Sequence, residues 1–273
     1  MGPLVDRGFV RLDEGLMHYR VAGEGLPLVM LHASPSSSAT LEGLGAALAQ
    51  ASGRRVIMPD TPGNGLSVAL PGEAPELVDY AAMIERFCDG LGLGAVDVYG
   101  THTGAHIGIE WALAPGSRVR RLVLDGVAVM SAVERDEYLA HYAPPREPDA
   151  HGTQFPWAFN MIRDQMIFWP HYRQDGAHFR SGGRFEPALL HALTMDLLMA
   201  LPSYHQAYGA VFRHDVLARL EMVMQPMLWL RHAEAPLEAG AEAALARLPR
   251  AQVAQTDDMA ARVAAISSFL GEG

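Results

Sequence analysis

Val96-Asp97-Val98-Tyr99-Gly100-Thr101-His102-Thr103-Gly104-Ala105 is the stretch that decides the fold of this chain. It reads as a strand, a sharp turn and the start of a helix. Its Gly-x-x-x-Gly frame is that of the nucleophile elbow. There a Ser, Asp or Cys sits on a strained strand-to-helix turn, and flanking glycines let neighbouring backbone pass close by. The central position here is His102. Histidine is among the non-glycine residues enriched at positive φ, so the turn can hold it.

The sequence around the elbow alternates strands and helices. Upstream, Arg11-Leu12 and Leu16 to Val21, joined by Asp13-Glu14-Gly15, predict a β-hairpin. Leu26 to Leu31 is a near-continuous apolar run, as in a strand covered on both faces. Ser36 to Gln50 has helical apolar spacing at Leu41, Leu44 and Leu48, and Arg55 to Met58 is the next strand. A helix over 75–91, a strand over 96–99, a helix over 103–114 and a strand over 121–125 follow. Past about Met130 the alternation breaks. Residues 131–215 are rich in aromatic, Met, His and Pro residues and helical in pattern, which predicts an inserted helical cap between two parts of one core, 1–130 and 216–273. Strand character resumes over 226–230, then a helix over 237–248, a short strand over 251–255 and a closing helix over 259–270. This order predicts an α/β architecture: a doubly wound, mostly parallel eight-stranded sheet with the cap inserted.

Bulk composition narrows the function classes. The 273 residues can bury a sizeable core, and 49% hydrophobic with 19% charged residues is ordinary for a globular chain. A net charge of −10 without a dense basic run argues against nucleic acid or an anionic membrane as partner. All 21 basic residues are arginine, so lysine chemistry is excluded; the abundance of Ala, Arg and Gly points to a GC-rich, bacterial coding sequence. The single cysteine, Cys88, excludes an intramolecular disulfide and sits in an apolar helical stretch as a packed thiol. The first ten residues lack the apolar core of a signal peptide, and no apolar run reaches the roughly 18 residues of a membrane span, so a cytoplasmic location is expected. The expected partner is a small-molecule substrate, with neither nucleic acid nor membrane. A homodimer is compatible with the sequence, and nothing in it fixes the oligomeric state.

Four ordered motifs give the chain a resemblance to the α/β-hydrolase superfamily over nearly its whole length. Leu31-His32-Ala33-Ser34-Pro35-Ser36-Ser37-Ser38 is similar to the His-Gly-x-Pro segment after the third strand, and Met58 to Ser67 to its Pro-Asp-x-x-Gly-x-Gly-x-Ser turn. The elbow is the third motif, and Pro226-Met227-Leu228-Trp229-Leu230 resembles the penultimate strand. The cap position and the Ser-Pro-Ser-Ser segment look closest to the capped branch that includes haloalkane dehalogenases and epoxide hydrolases. The resemblance implies an oxyanion hole from the backbone N–H of Ser34 and of Thr103, where each donor supplies ~3 kcal/mol to a developing negative charge.

The remaining machinery departs from that pattern. His102 is a candidate nucleophile or general base, since imidazole titrates near neutral pH; the alternative is a pocket-lining histidine in a protein that only binds. The family's acid has two candidate sites, Asp125 after the strand that follows the elbow helix and Glu234 after the penultimate strand. Either could orient His102, and Asp125 is preferred. The usual histidine loop after the last strand is missing, and no histidine follows His232. His32 is read as a supporting hydrogen-bonding residue beside the oxyanion loop. Trp169, Tyr204 and His214 are pocket candidates in and beside the cap. His102 and His106 have i, i+4 spacing, but no third ligand accompanies them, so no metal site is expected. The resulting expectation is a cofactor-independent enzyme acting on a small apolar carbonyl compound: an ester, a lactone or a C–C bond. A lyase or isomerase using His102 as base, and a non-catalytic ligand-binding protein, stand as alternatives.

Overall fold

A computed structural model describes residues 4–180, 186–232 and 238–271. Its centre is an eight-stranded sheet in the order β1-β2-β4-β3-β5-β6-β7-β8. The strands are β1 Val5–Arg11, β2 Leu16–Ala22, β3 Pro27–Leu31, β4 Arg55–Pro59, β5 Val96–Thr101, β6 Val119–Asp125, β7 Met227–Arg231 and β8 Gln252–Gln255. β1 and β2 are antiparallel, β2 is antiparallel to β4, and every pairing from β4 to β8 is parallel. The expected mostly parallel sheet is therefore present. Its first strand begins six residues earlier than the hydrophobic pattern marks. β1 is an edge strand, largely exposed, so ladder hydrogen bonds to β2 define it rather than burial.

Helices α1 Glu42–Ser52, α2 Leu77–Gly90, α3 Thr103–Leu113, α8 Val216–Met222, α9 Glu238–Ala246 and α10 Met259–Gly271 flank the sheet. The helix expected from Ser36 begins as a 3-10 turn over Ser38–Leu41, capped by Ser37, before α1. Four helices lie between β6 and α8: α4 Ala132–His141, α5 Gln154–Ile167, α6 Pro187–Met199 and α7 Tyr204–Arg213. They form the cap. Its interior is aromatic, with Tyr142 in ring contact with Tyr138, Trp169, Tyr208 and Phe212.

Two packed layers follow from the sheet's two faces. One joins Leu28, Met30, Val56, Met58 and Tyr99 to α1 and α10; the other joins Val29, Leu31, Ile57, Val98 and Leu122 to α2, α3 and the cap. Cys88 is buried in the second, as a packed thiol. α3 is buried from Thr103 to Ala112, with His106 and Glu110 among the buried side chains. It lies between the sheet and α2, α7 and α8. Two glycines make this fit. A Cβ on Gly100 would lie 2.4 Å from the Gly104 carbonyl oxygen, and one on Gly104 would lie 2.1 Å from the Leu31 carbonyl oxygen. The Gly-x-x-x-Gly frame is thus a clearance requirement between β5, β3 and α3.

Candidate active site

His102 stands between β5 and α3 at φ 50° and ψ −115°, and it is the only non-glycine residue at positive φ among the described residues. Its backbone N–H donates to the Asp125 carbonyl at 2.8 Å, which fixes the turn to the end of β6. Its ring lies flat against Gly126, where an added Cβ would fall 2.8 Å from Cε1. The ring faces a cavity of about 480 Å³ between sheet and cap, lined among others by Ser34, Thr103, Trp169, Tyr208, Arg180 and Arg262. The side chain is open to this cavity yet enclosed by the cap above it. That enclosure holds its pKa below the ordinary 6.5, with neighbouring His232, Arg180 and Arg262 pushing the same way and Asp125 opposing.

The Asp125 carboxylate does not touch the His102 ring. Its Oδ1 accepts from His232 Nε2 at 2.6 Å, and its Oδ2 accepts from the Tyr99 hydroxyl at 2.5 Å. The direct Asp125–His102 contact expected from the sequence is thereby corrected: the strand-end carboxylate points across to β7. The Thr101 hydroxyl lies 2.9 Å from His102 Nδ1. Tyr99 and Thr101 are two residues apart on β5 and so share a face of the sheet. His102 Nε2 has no hydrogen-bond partner among the described residues.

His232 is the residue that sequence reasoning passed over. Its Nδ1 donates to the Thr256 carbonyl at 2.7 Å, while Nε2 meets the Asp125 carboxylate. A carbonyl and a carboxylate only accept, so both ring nitrogens carry protons and His232 is an imidazolium. Its pKa is accordingly raised, chiefly by the bond to Asp125, and the Asp125 pKa is lowered despite burial. A histidine bonded this way has no lone pair to accept a proton. The signal that could have found it is register: Asp125 pairs with Leu230 across β6 and β7, so a residue two past Leu230 reaches the carboxylate.

At the oxyanion loop, the Ser34 N–H donates to Thr103 Oγ1 at 3.4 Å, and the Ser34 carbonyl accepts from the Tyr208 hydroxyl at 2.9 Å. The Thr103 N–H opens α3, where first-turn amides have no intrahelical acceptor. Ser34 and Thr103 are thus side by side on the cavity wall. The Ser34–Pro35 peptide is cis. His32 supports this loop from beneath: its Nδ1 donates to the Ala33 carbonyl at 2.7 Å and its Nε2 accepts from the Thr61 N–H at 2.9 Å. That pattern makes His32 neutral, and burial lowers its pKa.

Of the three pocket candidates, Trp169 lines the cavity. Tyr204 is buried behind the wall, bonded through its hydroxyl to the Pro144 carbonyl, and does not line it. His214 lies on the far side of α3, where Nδ1 meets His106 Nδ1 at 2.8 Å and Nε2 donates to Glu110 at 2.8 Å. His106 Nε2 accepts from the Ala128 N–H at 3.2 Å, so its Nδ1 is the protonated nitrogen, donating to His214. Both His106 nitrogens are used within the protein, and Arg219 clamps Glu110 from outside, holding its pKa at about 2 together with His214. His171 packs against Tyr142 and bonds the Tyr142 carbonyl. Glu234 lies outside the described residues. Among the described residues, no three His, Cys, Asp or Glu side chains are grouped to hold a metal, and no helix is long and apolar enough to cross a membrane.

The fold has counterparts in known proteins. Residues 27–180 match the alpha/beta hydrolase fold family, and the chain belongs to that family. A 2-hydroxy-6-oxononadienedioate/2-hydroxy-6-oxononatrienedioate hydrolase of Dechloromonas aromatica is 36% identical over 132 residues, 43% of each chain. Haloalkane dehalogenase 2 of Mycobacterium tuberculosis is 32% identical over 112 residues, 41% of this chain and 38% of that one. The chain therefore aligns with under half the length of these curated relatives. Among solved structures, an epoxide hydrolase from an endophytic Streptomyces superposes with a TM-score of 0.77 at 18% identity, covering 98% of this chain and 95% of the other. The enol-lactonase of Burkholderia xenovorans LB400 gives 0.70 at 17% identity, covering 97% and 100%. These likenesses establish the fold and its cap.

Proposed function

We propose that this protein is a cofactor-independent hydrolase of a small carbonyl compound (an ester, a lactone or a C–C bond beside a carbonyl) with His102 as its general base. One observation carries the reading. The His102 Nε2 is bare and faces the cavity, while the other histidine near the site, His232, has both nitrogens committed. Nε2 takes a proton from water, and the resulting hydroxide adds to the carbonyl carbon. The N–H groups of Thr103 and Ser34 receive the developing oxyanion. The imidazolium then returns the proton to the leaving group. Thr101, accepting from Nδ1–H, favours the tautomer with Nε2 bare. The names of the relatives, a C–C hydrolase and a dehalogenase among them, support hydrolysis at this fold.

The reach of the imidazole favours a second reading. It extends beyond where a serine hydroxyl ends, so it can remove a proton beside a bound carbonyl with no water between them. That is lyase or isomerase chemistry. Turnover of a panel of small activated esters, lactones and β-dicarbonyls in ¹⁸O-water separates the two, because hydrolysis alone places solvent oxygen in product. His102→Ala is expected to lower turnover by at least about a hundredfold. Undiminished turnover in that variant removes His102 from the mechanism, and tight retention of an unaltered ligand without turnover would make the protein a binder.

A further inference from the structure

Arg262 and Arg180 line the cavity without a carboxylate in full ion-pair contact among the described residues. His232 is an imidazolium, and Arg262 lies beside it with Nη2 3.5 Å from His232 Nε2. That nitrogen is already donating to Asp125, so it cannot accept from the guanidinium. Arg262 Nη1 stands 3.7 Å from Asp125 Oδ2, at the limit of an ion pair, and its Nε is buried without a hydrogen-bond partner. Arg180, on the cap side of the same cavity, donates to the Gln165 carbonyl at 2.7 Å and has no carboxylate partner among the described residues. Two cations, His232 and Arg262, thus share Asp125, and Arg180 lines the same cavity as Arg262. Two arginines without a full set of acceptors among the described residues, lining one cavity, amount to unmet hydrogen-bonding capacity.

We propose that Arg262 and Arg180 form an anion subsite that takes the carboxylate of a ligand whose apolar body lies against Trp169, Leu193 and Met259. The subsite deepens the function proposed above by naming the substrate class, a carbonyl compound that also carries a carboxylate, and it places the reacting end beside His102. A carboxylate fits the guanidinium fork in two parallel hydrogen bonds, which a neutral amide of the same shape cannot reproduce. The bound anion also offsets the cations that surround His102, making the imidazole a better base when substrate is present.

The test needs no turnover, so its outcome is independent of the role given to His102. Calorimetric titration at neutral pH compares phenylacetate with phenylacetamide on the full chain, in wild type, Arg262→Met and Arg180→Met. The acid is expected to bind at least about tenfold more tightly than the amide. Arg262→Met and Arg180→Met are each expected to erase most of that preference while leaving amide affinity unchanged. Arg262→Gln, which keeps polar bulk beside His232, is a second variant should the Met form fail to fold, and it too is expected to lose the preference. Equal affinity for acid and amide, no binding of either, or a preference that survives both arginine substitutions overturns the proposal.

Discussion

An imidazole at an elbow changes what the turn can do. A serine there needs a separate base, whereas His102 carries its own lone pair and needs only its tautomer fixed. In the proposed mechanism Thr101, 2.9 Å from Nδ1, supplies that control. Tyr99→Phe removes the phenol that donates to Asp125 while keeping the ring. Turnover is expected to fall roughly tenfold, with a stability loss of about 1–2 kcal/mol from the deleted buried hydrogen bond. Parallel kinetics and denaturant unfolding of this variant check both parts; unchanged turnover would show that the Tyr99–Asp125 bond has no bearing on His102. The sequence made His102, Asp125, Ser34 and Thr103 legible because each sits in a motif or at a strand end. It did not make their partners legible. The bonds from Asp125 to His232 and from His214 to His106 join residues about a hundred positions apart, and no local pattern records such contacts.

At the scale of elements, the fold was legible because periodicity marks buried strands and amphipathic helices directly. The edge strand β1 was blurred, since exposure on both faces erases alternation. The turn between β8 and α10 looked like a missing catalytic loop. In the structure it brings Arg262, one turn into α10, to the Asp125–His232 pair. The short turn thus sets which charged group reaches the site. The elbow is the least forgiving joint. Gly104 lets α3 meet β3 at a spacing where a methyl would penetrate the Leu31 carbonyl, so backbone rather than a flexible side chain must move. Gly104→Ala is expected to destabilise the protein by about 3 kcal/mol or more, read as a lowered denaturant midpoint. A change below about 1 kcal/mol would mean that the β3–β5–α3 joint is looser than this packing implies.

Across the whole molecule, the charge distribution supports the same conclusion. The chain is acidic in balance, yet the cavity under the cap is lined by Arg180 and Arg262, and Arg262 stands beside the His232–Asp125 pair. His32 and His106, buried, and His102, open to the cavity, are neutral, each with its pKa lowered first by desolvation. His232 moves the other way. The central claim is that the base of this site is the elbow histidine, and that the remaining active-site histidine is a fixed cation. A ¹⁵N NMR titration of the histidine side chains addresses it most directly. The account predicts His102 neutral at pH 7, protonated on Nδ1 and bare on Nε2, with a pKa below 6.5, and His232 doubly protonated with a pKa above 6.5. A charged His102 at pH 7, or a His232 with a bare ring nitrogen, would contradict it.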